Sequence, residues 1–148
     1  MTVDTSNNIY VTGTTSGGLD NNTNSGSTDI FLVKYNSSGT KQWTQQLGTS
    51  VSDRGIGVAV DNSSNIYVTG YTTGGLNNYT SYGDEDLSSV KYNSSGTKQW
   101  NQQLGTSLLD RGSGMTVDYS YNIYVSGRTQ RGRLKNIYYD YVFLFSFF

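Results

Sequence analysis

The charged residues with the clearest pattern are two Asp–Arg pairs, Asp53-Arg54 and Asp110-Arg111, which stand 57 residues apart. A guanidinium is a planar cation that can bind carboxylates and other anions through directed hydrogen bonds. One interpretation is therefore a carbohydrate or anion contact that is repeated around a rim. The other, which we favour, is that each Arg bonds the Asp of a neighbouring hairpin and holds adjacent repeats together.

The two tryptophans, Trp43 and Trp100, are also 57 residues apart. Their flat, partly polar rings could serve as stacking platforms for sugars. Both stand at alternating positions of segments with strand character, where large aromatic rings usually pack into a core. Packing within or between repeats is therefore the favoured interpretation, and the sugar contact is the alternative.

A third group is the acidic run Asp84-Glu85-Asp86, which has no counterpart in the preceding copy, where Ser27-Thr28-Asp29 stands. Hard carboxylate oxygens are the ligands that Ca²⁺ prefers. Three consecutive acids rarely converge on one ion, however, and the spacing of a calcium-binding loop is absent. A solvated loop is the favoured interpretation, and we predict no metal and no cofactor.

The composition excludes the commonest catalytic arrangements. The chain has no His and no Cys, so the usual neutral-pH general base, the common triads and thiolate zinc sites are all missing. The one Glu is Glu85, and most Asp residues recur as equivalents in successive copies, which predicts turn capping and contacts between repeats. We therefore do not expect an enzyme.

The elements that position these residues follow from a repeat with a fixed period of 57 residues. Val33–Trp43 returns unchanged as Val90–Trp100, and Asn8–Val11 returns twice, at Asn65 and Asn122. No insertion or deletion breaks the register between Met1 and about Thr129. Such a period is the signature of a repeat architecture.

Each repeat reads as four short strands. Gly57–Asp61 and Asn65–Gly70 alternate with period two and are joined by a short polar turn. A long polar connection follows, and then the segments Asp29–Tyr35 and Lys41–Leu47 form a hairpin around Asn36-Ser37-Ser38-Gly39. Four antiparallel strands per repeat predict an all-β fold, a partial β-propeller of about two and a half four-stranded blades.

These residues also resemble a known family. The patterns Asp-x-x-x-Asn-Ile-Tyr-Val-Thr-Gly, Asp-Ile-Phe-Leu-Val-Lys-Tyr-Asn-Ser-Ser-Gly-Thr-Lys-Gln-Trp and Gln-Leu-Gly-Thr-Ser-x-x-Asp-Arg-Gly are similar to the bacterial β-propeller repeat known as SBBP. The resemblance covers residues 1–129. It implies propeller blades in a bacterial cell-envelope or secreted protein, and hence an extracellular or cell-envelope location. It implies no enzymatic activity.

The copies depart from the pattern at two places. The position before the Asn of the second strand, usually Gly in the family, is Asn7, Ser64 and Tyr121 here. A left-handed backbone is unfavourable for Tyr, so we expect the third copy's first hairpin to be compromised. In the second copy, Ser88 and Ser89 replace two hydrophobic residues, at a cost of several kcal/mol if both sites are buried.

The predicted domain limits are 1–129 for the blades and 130–148 for a divergent basic and aromatic tail. The repeat units are expected to begin about Met1, Val58 and Met115. The tail could be a last strand that replaces the missing third strand of the third copy, a frame-shifted end, or a cationic-aromatic membrane patch. Because propellers close at roughly four to eight blades, we interpret the chain as a fragment that needs further blades or self-association to close a ring.

Charge and hydropathy limit the partners. Residues 1–127 carry six Lys and Arg against ten Asp and Glu, which is not the footprint of a nucleic-acid binder. No signal peptide is evident, and the longest apolar stretch, Tyr141–Phe148, is far shorter than a spanning helix, so a membrane partner is not expected. The predicted function is a non-catalytic module for protein or carbohydrate interaction. The alternative is an accessory or remnant propeller domain of a secreted enzyme.

Overall fold

The computed structural model describes residues 1–131 and 138–141, and it contains eleven β-strands within these ranges. A single 3₁₀ turn, Leu76–Asn78, interrupts the connection before β7. The strands are β1 Thr2–Val3, β2 Ile9–Thr15, β3 Asp29–Tyr35, β4 Lys41–Leu47, β5 Asp53–Val60, β6 Ile66–Thr72, β7 Asp86–Tyr92, β8 Lys98–Leu104, β9 Asp110–Val117, β10 Ile123–Arg131 and β11 Tyr138–Tyr141.

The strands form three antiparallel sheets that follow one another along the chain. The first has the order β1-β2-β3-β4, the second β5-β6-β7-β8 and the third β9-β10-β11. Each sheet is a meander in which strands adjacent in sequence pair with each other. The all-β class and the four-stranded antiparallel blades are confirmed, and the architecture is that of a partial β-propeller.

The first strand of a sheet begins five residues earlier than the alternation predicts, at Asp53 and Asp110 rather than at Val58 and Met115. The reason is a β-bulge. The register of β5 shifts between Gly55 and Gly57, and the corresponding shift in the third sheet leaves Ser113 without a partner opposite it. A bulge lets a strand continue across a break in the alternation and redirects the side chain at the bulge.

The three sheets pack face to face along their first strands, because β5 contacts both β2 of the first sheet and β9 of the third. Glycines permit this close approach. A Cβ atom on Gly55 would lie 2.5 Å from the Thr12 hydroxyl, and one on Gly57 would lie 3.1 Å from the Cα atom of Gly114. The second sheet is therefore covered on both faces, and all seven residues of β6 are buried.

Two hydrophobic clusters fill the spaces between the sheets. The larger lies between the first and second sheets and is built from Tyr10, Ile30, Leu32, Val58, Ile66, Val68, Leu76, Val90 and Tyr92. The smaller lies between the second and third sheets and consists of Tyr67, Leu87, Ile123 and Val125, with Trp100, Met115 and Val117 packed against it. Burial of this apolar area is the main force that holds one sheet against the next.

The substitutions in the second copy fall on buried sites. Ser88 is 1% exposed and Ser89 is fully buried. The Ser89 hydroxyl lies 3.5 Å from that of Thr69, whereas the Ser88 hydroxyl has no hydrogen-bond partner. An unsatisfied buried hydroxyl costs stability, yet β7 keeps the same pairing as β3 because the backbone ladder does not depend on these side chains.

Part of the tail is visible. Strand β11 pairs antiparallel with β10, with Tyr138 opposite Arg131 and Tyr141 opposite Arg128, so it occupies the third-strand position of the third sheet. The predictions for residues 132–137 and 142–148 lie outside the described residues. Within the described part of the chain, no helix is long and apolar enough to cross a membrane.

Candidate functional site

One end of the sheets is built from the same short turn three times, and we call it the turn end. It comprises the turns Asp4–Asn8, Asp61–Asn65 and Asp118–Asn122, which join the first and second strands of each sheet. The Asp61 carboxylate accepts hydrogen bonds from the backbone N–H groups of Ser63 and Asn65, at 2.9 and 2.8 Å. It also accepts from the Asn65 amide at 2.8 Å and the Tyr67 hydroxyl at 2.9 Å.

The other two turns repeat this arrangement with the same four donors. Asp4 accepts from Ser6, Asn8 and Tyr10, and Asp118 accepts from Ser120, Asn122 and Tyr124, all at 2.8–2.9 Å. These carboxylates therefore serve to cap turns, because their acceptor capacity is used by the local backbone and by one buried tyrosine.

Electrostatics agree with a structural role for these carboxylates. Burial acts to raise the pKa of Asp4, but the hydrogen bonds from Asn8 and Tyr10 outweigh it and the net pKa is lowered. The hydrogen bond from Asn122 is the largest influence on Asp118, and its pKa is lowered as well. Burial and the adjacent Asp4 raise the pKa of the Tyr10 hydroxyl. Such groups stay charged and neutral, respectively, at physiological pH.

The third turn forms despite its unfavourable residue. Tyr121 has a φ of 66°, close to the 62° of Asn7 and the 59° of Ser64 at the equivalent positions. The backbone bonds of the hairpin are all present, with Asp118 N–H donating to the Asn122 carbonyl at 3.0 Å. The expectation that this hairpin would be compromised is therefore not what the structure shows. Capping by Asp118 holds the backbone in a conformation that Tyr disfavours by itself.

The opposite end of the sheets carries the Asp–Arg pairs, and we call it the cleft end. Asp53 and Asp110 are buried and do not bond the adjacent arginines. Asp53 accepts from the Thr49 N–H at 2.6 Å, from the Thr49 hydroxyl at 2.9 Å and from the Thr72 hydroxyl. Asp110 makes the equivalent bonds with Thr106 and Thr129. Each Asp thus fastens the loop that precedes its own strand.

The arginines point to the other face of the strand, because consecutive side chains alternate. The guanidinium of Arg54 lies 5.9 Å from the ring centre of Tyr71, and that of Arg111 lies 4.7 Å from the same ring. Arg111 also forms an ion pair with Glu85 through two N–H groups. A tie between repeats therefore exists, but its acid is Glu85 of the second sheet rather than the Asp of a neighbouring hairpin.

A cavity of about 560 Å³ opens between the sheets at the cleft end. It lies where the second strand of each sheet ends and the first strand begins, so residues from all three sheets meet there. Three arginines, one buried tyrosine and two hydroxyl-bearing residues dominate its wall. The lining residues are Thr14, Arg54, Gly55, Ile56, Tyr71, Arg111, Ser113 and Arg128.

The tryptophans lie elsewhere, on the fourth strands near the turn end. Trp43 is half-buried, with its ring centre 6.3 Å from that of Tyr10, and the turn at Gly96 of the next sheet lies against it. Trp100 packs in the same way on Tyr67, at 6.2 Å, and lines a separate cavity of about 300 Å³ with Lys91 and Tyr121. Both rings take part in packing within and between sheets, and neither joins the arginine cavity.

The acidic run does not converge on a common point. Asp86 is buried and accepts from the Gln103 amide at 2.7 Å and the Tyr82 N–H at 2.8 Å, whereas Glu85 pairs with Arg111 and Asp84 is exposed. Over the described ranges, no group of three or more Asp and Glu side chains is placed to hold a metal ion. The run thus fixes a loop and links two sheets.

Comparison with known proteins places these features in a family. The model of the SBBP β-propeller repeat matches residues 1–20, 42–77 and 99–132, which together make up more than half of the chain. The chain belongs to the SBBP β-propeller repeat family. It is also 32% identical over 127 residues to an uncharacterized WD repeat-containing protein of Acanthamoeba polyphaga mimivirus. That match covers 74% of this chain and 9% of the viral protein.

In this SBBP chain, sequence reasoning singled out Arg54 and Arg111 but missed Tyr71, Arg128 and Glu85. A signal was available for two of the three. Thr14, Tyr71 and Arg128 occupy the same position in successive copies, and so do Ile56 and Ser113. An alignment of the copies at period 57 shows these changes next to two retained arginines, although it does not show that they meet in one cavity.

Proposed function

We propose that this chain is a non-catalytic interaction module of a larger bacterial surface or secreted protein and that it contacts a protein or a carbohydrate. The β-propeller repeat family to which it belongs is defined by its blades, and the cavity at the cleft end gives such a module a place to bind. Function is assigned here from the site, because propellers as a fold support many activities.

The observation that carries the proposal is the use of the repeated carboxylates. Acid–base hydrolysis of a sugar needs two carboxyl groups that face the substrate from opposite sides. The aspartates at the turn end accept four hydrogen bonds each, and Asp53 and Asp110 fasten loops. The residues that line the large cavity include no Asp and no Glu. The cavity is therefore equipped to bind rather than to transfer protons.

The test is a paired measurement of binding and turnover. The 148-residue chain is labelled and applied to an array of neutral glycans, acidic glycans and bacterial surface proteins, and every bound glycan is then incubated with the chain at micromolar concentration. We expect saturable binding without any change in the chain length of the glycan. Hydrolysis of a bound glycan, or an array with no ligand at all, would contradict the proposal.

A further inference from the structure

We infer that the cavity at the cleft end binds an acidic saccharide, one whose sugar units carry a carboxylate, through Arg54, Arg111 and Arg128. The inference rests on the proposed interaction function and names the ligand class of that function. It concerns one site of defined composition, whereas the turns at the opposite end of the sheets have no part in it.

The charge of the cavity wall is the first argument. Three arginines line it, and Glu85, which pairs with Arg111 from beside the cavity, offsets only one of them. Arg111 and Arg128 are direct cross-strand neighbours on β9 and β10. Like charges at such positions repel each other and destabilise the sheet. A carboxylate bound between the two guanidinium groups would remove this repulsion, which is why the arrangement favours an anionic ligand.

The second argument is that the arginines are held in place before any ligand arrives. Tyr71 is only 6% exposed, and its ring contacts the guanidinium groups of both Arg54 and Arg111. Glu85 fixes Arg111 from another side. A long side chain that is already positioned loses less conformational entropy on binding, and the planar guanidinium matches a carboxylate with two parallel hydrogen bonds.

The size and the remaining wall of the cavity favour a saccharide. A volume of about 560 Å³ lies within the range of small-molecule sites, roughly 300–1,000 Å³. Thr14 and Ser113 are exposed and can exchange hydrogen bonds with sugar hydroxyls. Beyond the cavity, residues 1–127 have an excess of acids. That surface would repel an acidic peptide along its length, whereas the hydroxyl-bearing flanks of a sugar chain carry less charge.

The third argument comes from the repeat itself. Arg54 and Arg111 are retained as equivalents, whereas the position of Thr14, Tyr71 and Arg128 has a hydroxyl, an aromatic ring and a cation in successive copies. These three side chains face the same cavity. The cavity is therefore asymmetric although the blades around it are nearly the same, and an asymmetric wall can select one orientation of a ligand.

The experiment is calorimetric titration of the 148-residue chain with trigalacturonate, with the neutral maltotriose as the comparison ligand. We expect saturable binding of trigalacturonate and none of maltotriose. Arg54→Gln should weaken binding by about tenfold because it removes one charged pair. The matched control Lys98→Gln, an exposed cation on β8 outside the cavity, should leave the affinity unchanged. Thr14→Arg adds a cation to the wall and should tighten binding severalfold.

Circular dichroism melting of each variant separates lost binding from lost folding, and Thr14→Arg tests the site by a gain that misfolding cannot produce. Binding of trigalacturonate that Arg54→Gln and Thr14→Arg both leave unchanged would overturn the inference, as would absence of trigalacturonate binding at millimolar concentration. Equal affinity for a triglutamate peptide would overturn the assignment to a saccharide. In each case a neutral glycan or protein ligand from the array leaves the interaction function standing, so the two failures are distinguishable.

Discussion

The turn end and the cleft end of the same three sheets differ in how closely the copies agree. At the turn end, Asp4, Asp61 and Asp118 make the same four hydrogen bonds in the three copies. At the cleft end, one position of the wall has become Thr14, Tyr71 and Arg128. The difference shows that copies agree where the backbone depends on a side chain and diverge where the side chain faces an open cavity.

The largest effect is expected from Asp61→Ala at the turn end. The change leaves two backbone N–H groups, an amide and the buried Tyr67 hydroxyl without their acceptor, so we expect a loss of about 3 kcal/mol in the free energy of unfolding. Urea denaturation followed by circular dichroism measures it. Asn62→Ala in the same turn, at an exposed position, should change stability by less than about 0.5 kcal/mol. Equal effects of the two changes would refute the capping role.

The next effect should be a gain in the half of the second sheet nearer the cleft end. Ser88→Ala removes a buried hydroxyl that has no partner, and we expect the chain to become more stable by about 1 kcal/mol. Ser89→Ala is the matched control, since that hydroxyl lies within reach of Thr69 and its removal should bring no gain. Denaturation midpoints of the two variants decide the point, and a destabilised Ser88→Ala variant would count against it.

A smaller gain should come from the one strained turn. Tyr121→Asn places a residue that tolerates positive φ where the backbone has a φ of 66°, so we expect a gain of about 0.5–1 kcal/mol in unfolding free energy. The weak bond that the Ser63 hydroxyl makes with Tyr121 is lost, which keeps the gain small. Thermal melting compares it with Tyr119→Asn, an exposed neighbour without positive φ, which should be neutral.

The smallest effect concerns acid pH. Because the pKa values of Asp4 and Asp118 are lower in the folded chain, these residues contribute stability above their unfolded pKa of about 3.9. That contribution is lost as the pH falls through the folded pKa. We expect a melting temperature that is nearly constant from pH 7 to about pH 5 and that falls below about pH 4. Asp118→Asn should flatten the acid limb of this profile, and an unchanged limb would show that the turn carboxylates do not contribute to it.

The turn end could be predicted from the sequence in considerable detail. The period, the strands Asp29–Tyr35 and Lys41–Leu47 and the capping role of the repeated aspartates all follow from residues close together in the chain. Hydrogen bonds of an Asp with residues two to six positions later need no knowledge of the remaining fold. Alternation and turn chemistry are local properties, which is why the copies could be aligned and read as blades.

The cleft end could be predicted only in part. Arg54 and Arg111 were candidates, but their shared contact with Tyr71 and the ion pair between Arg111 and Glu85 join residues on different sheets. The start of β5 at Asp53 depends on a bulge, and a bulge decides to which face the following side chains point. Neither the packing of one sheet on the next nor the position of a bulge is a property of a short segment.

The sequence by itself thus determined the family, the four-stranded repeat and the residues that close its turns, because all of these depend on spacing along one chain. The tertiary structure alone decided that β6 is buried on both faces and that three arginines from different copies line one cavity. The physical reason is that burial and electrostatic fields depend on which surfaces meet, and those surfaces come from residues more than 50 positions apart.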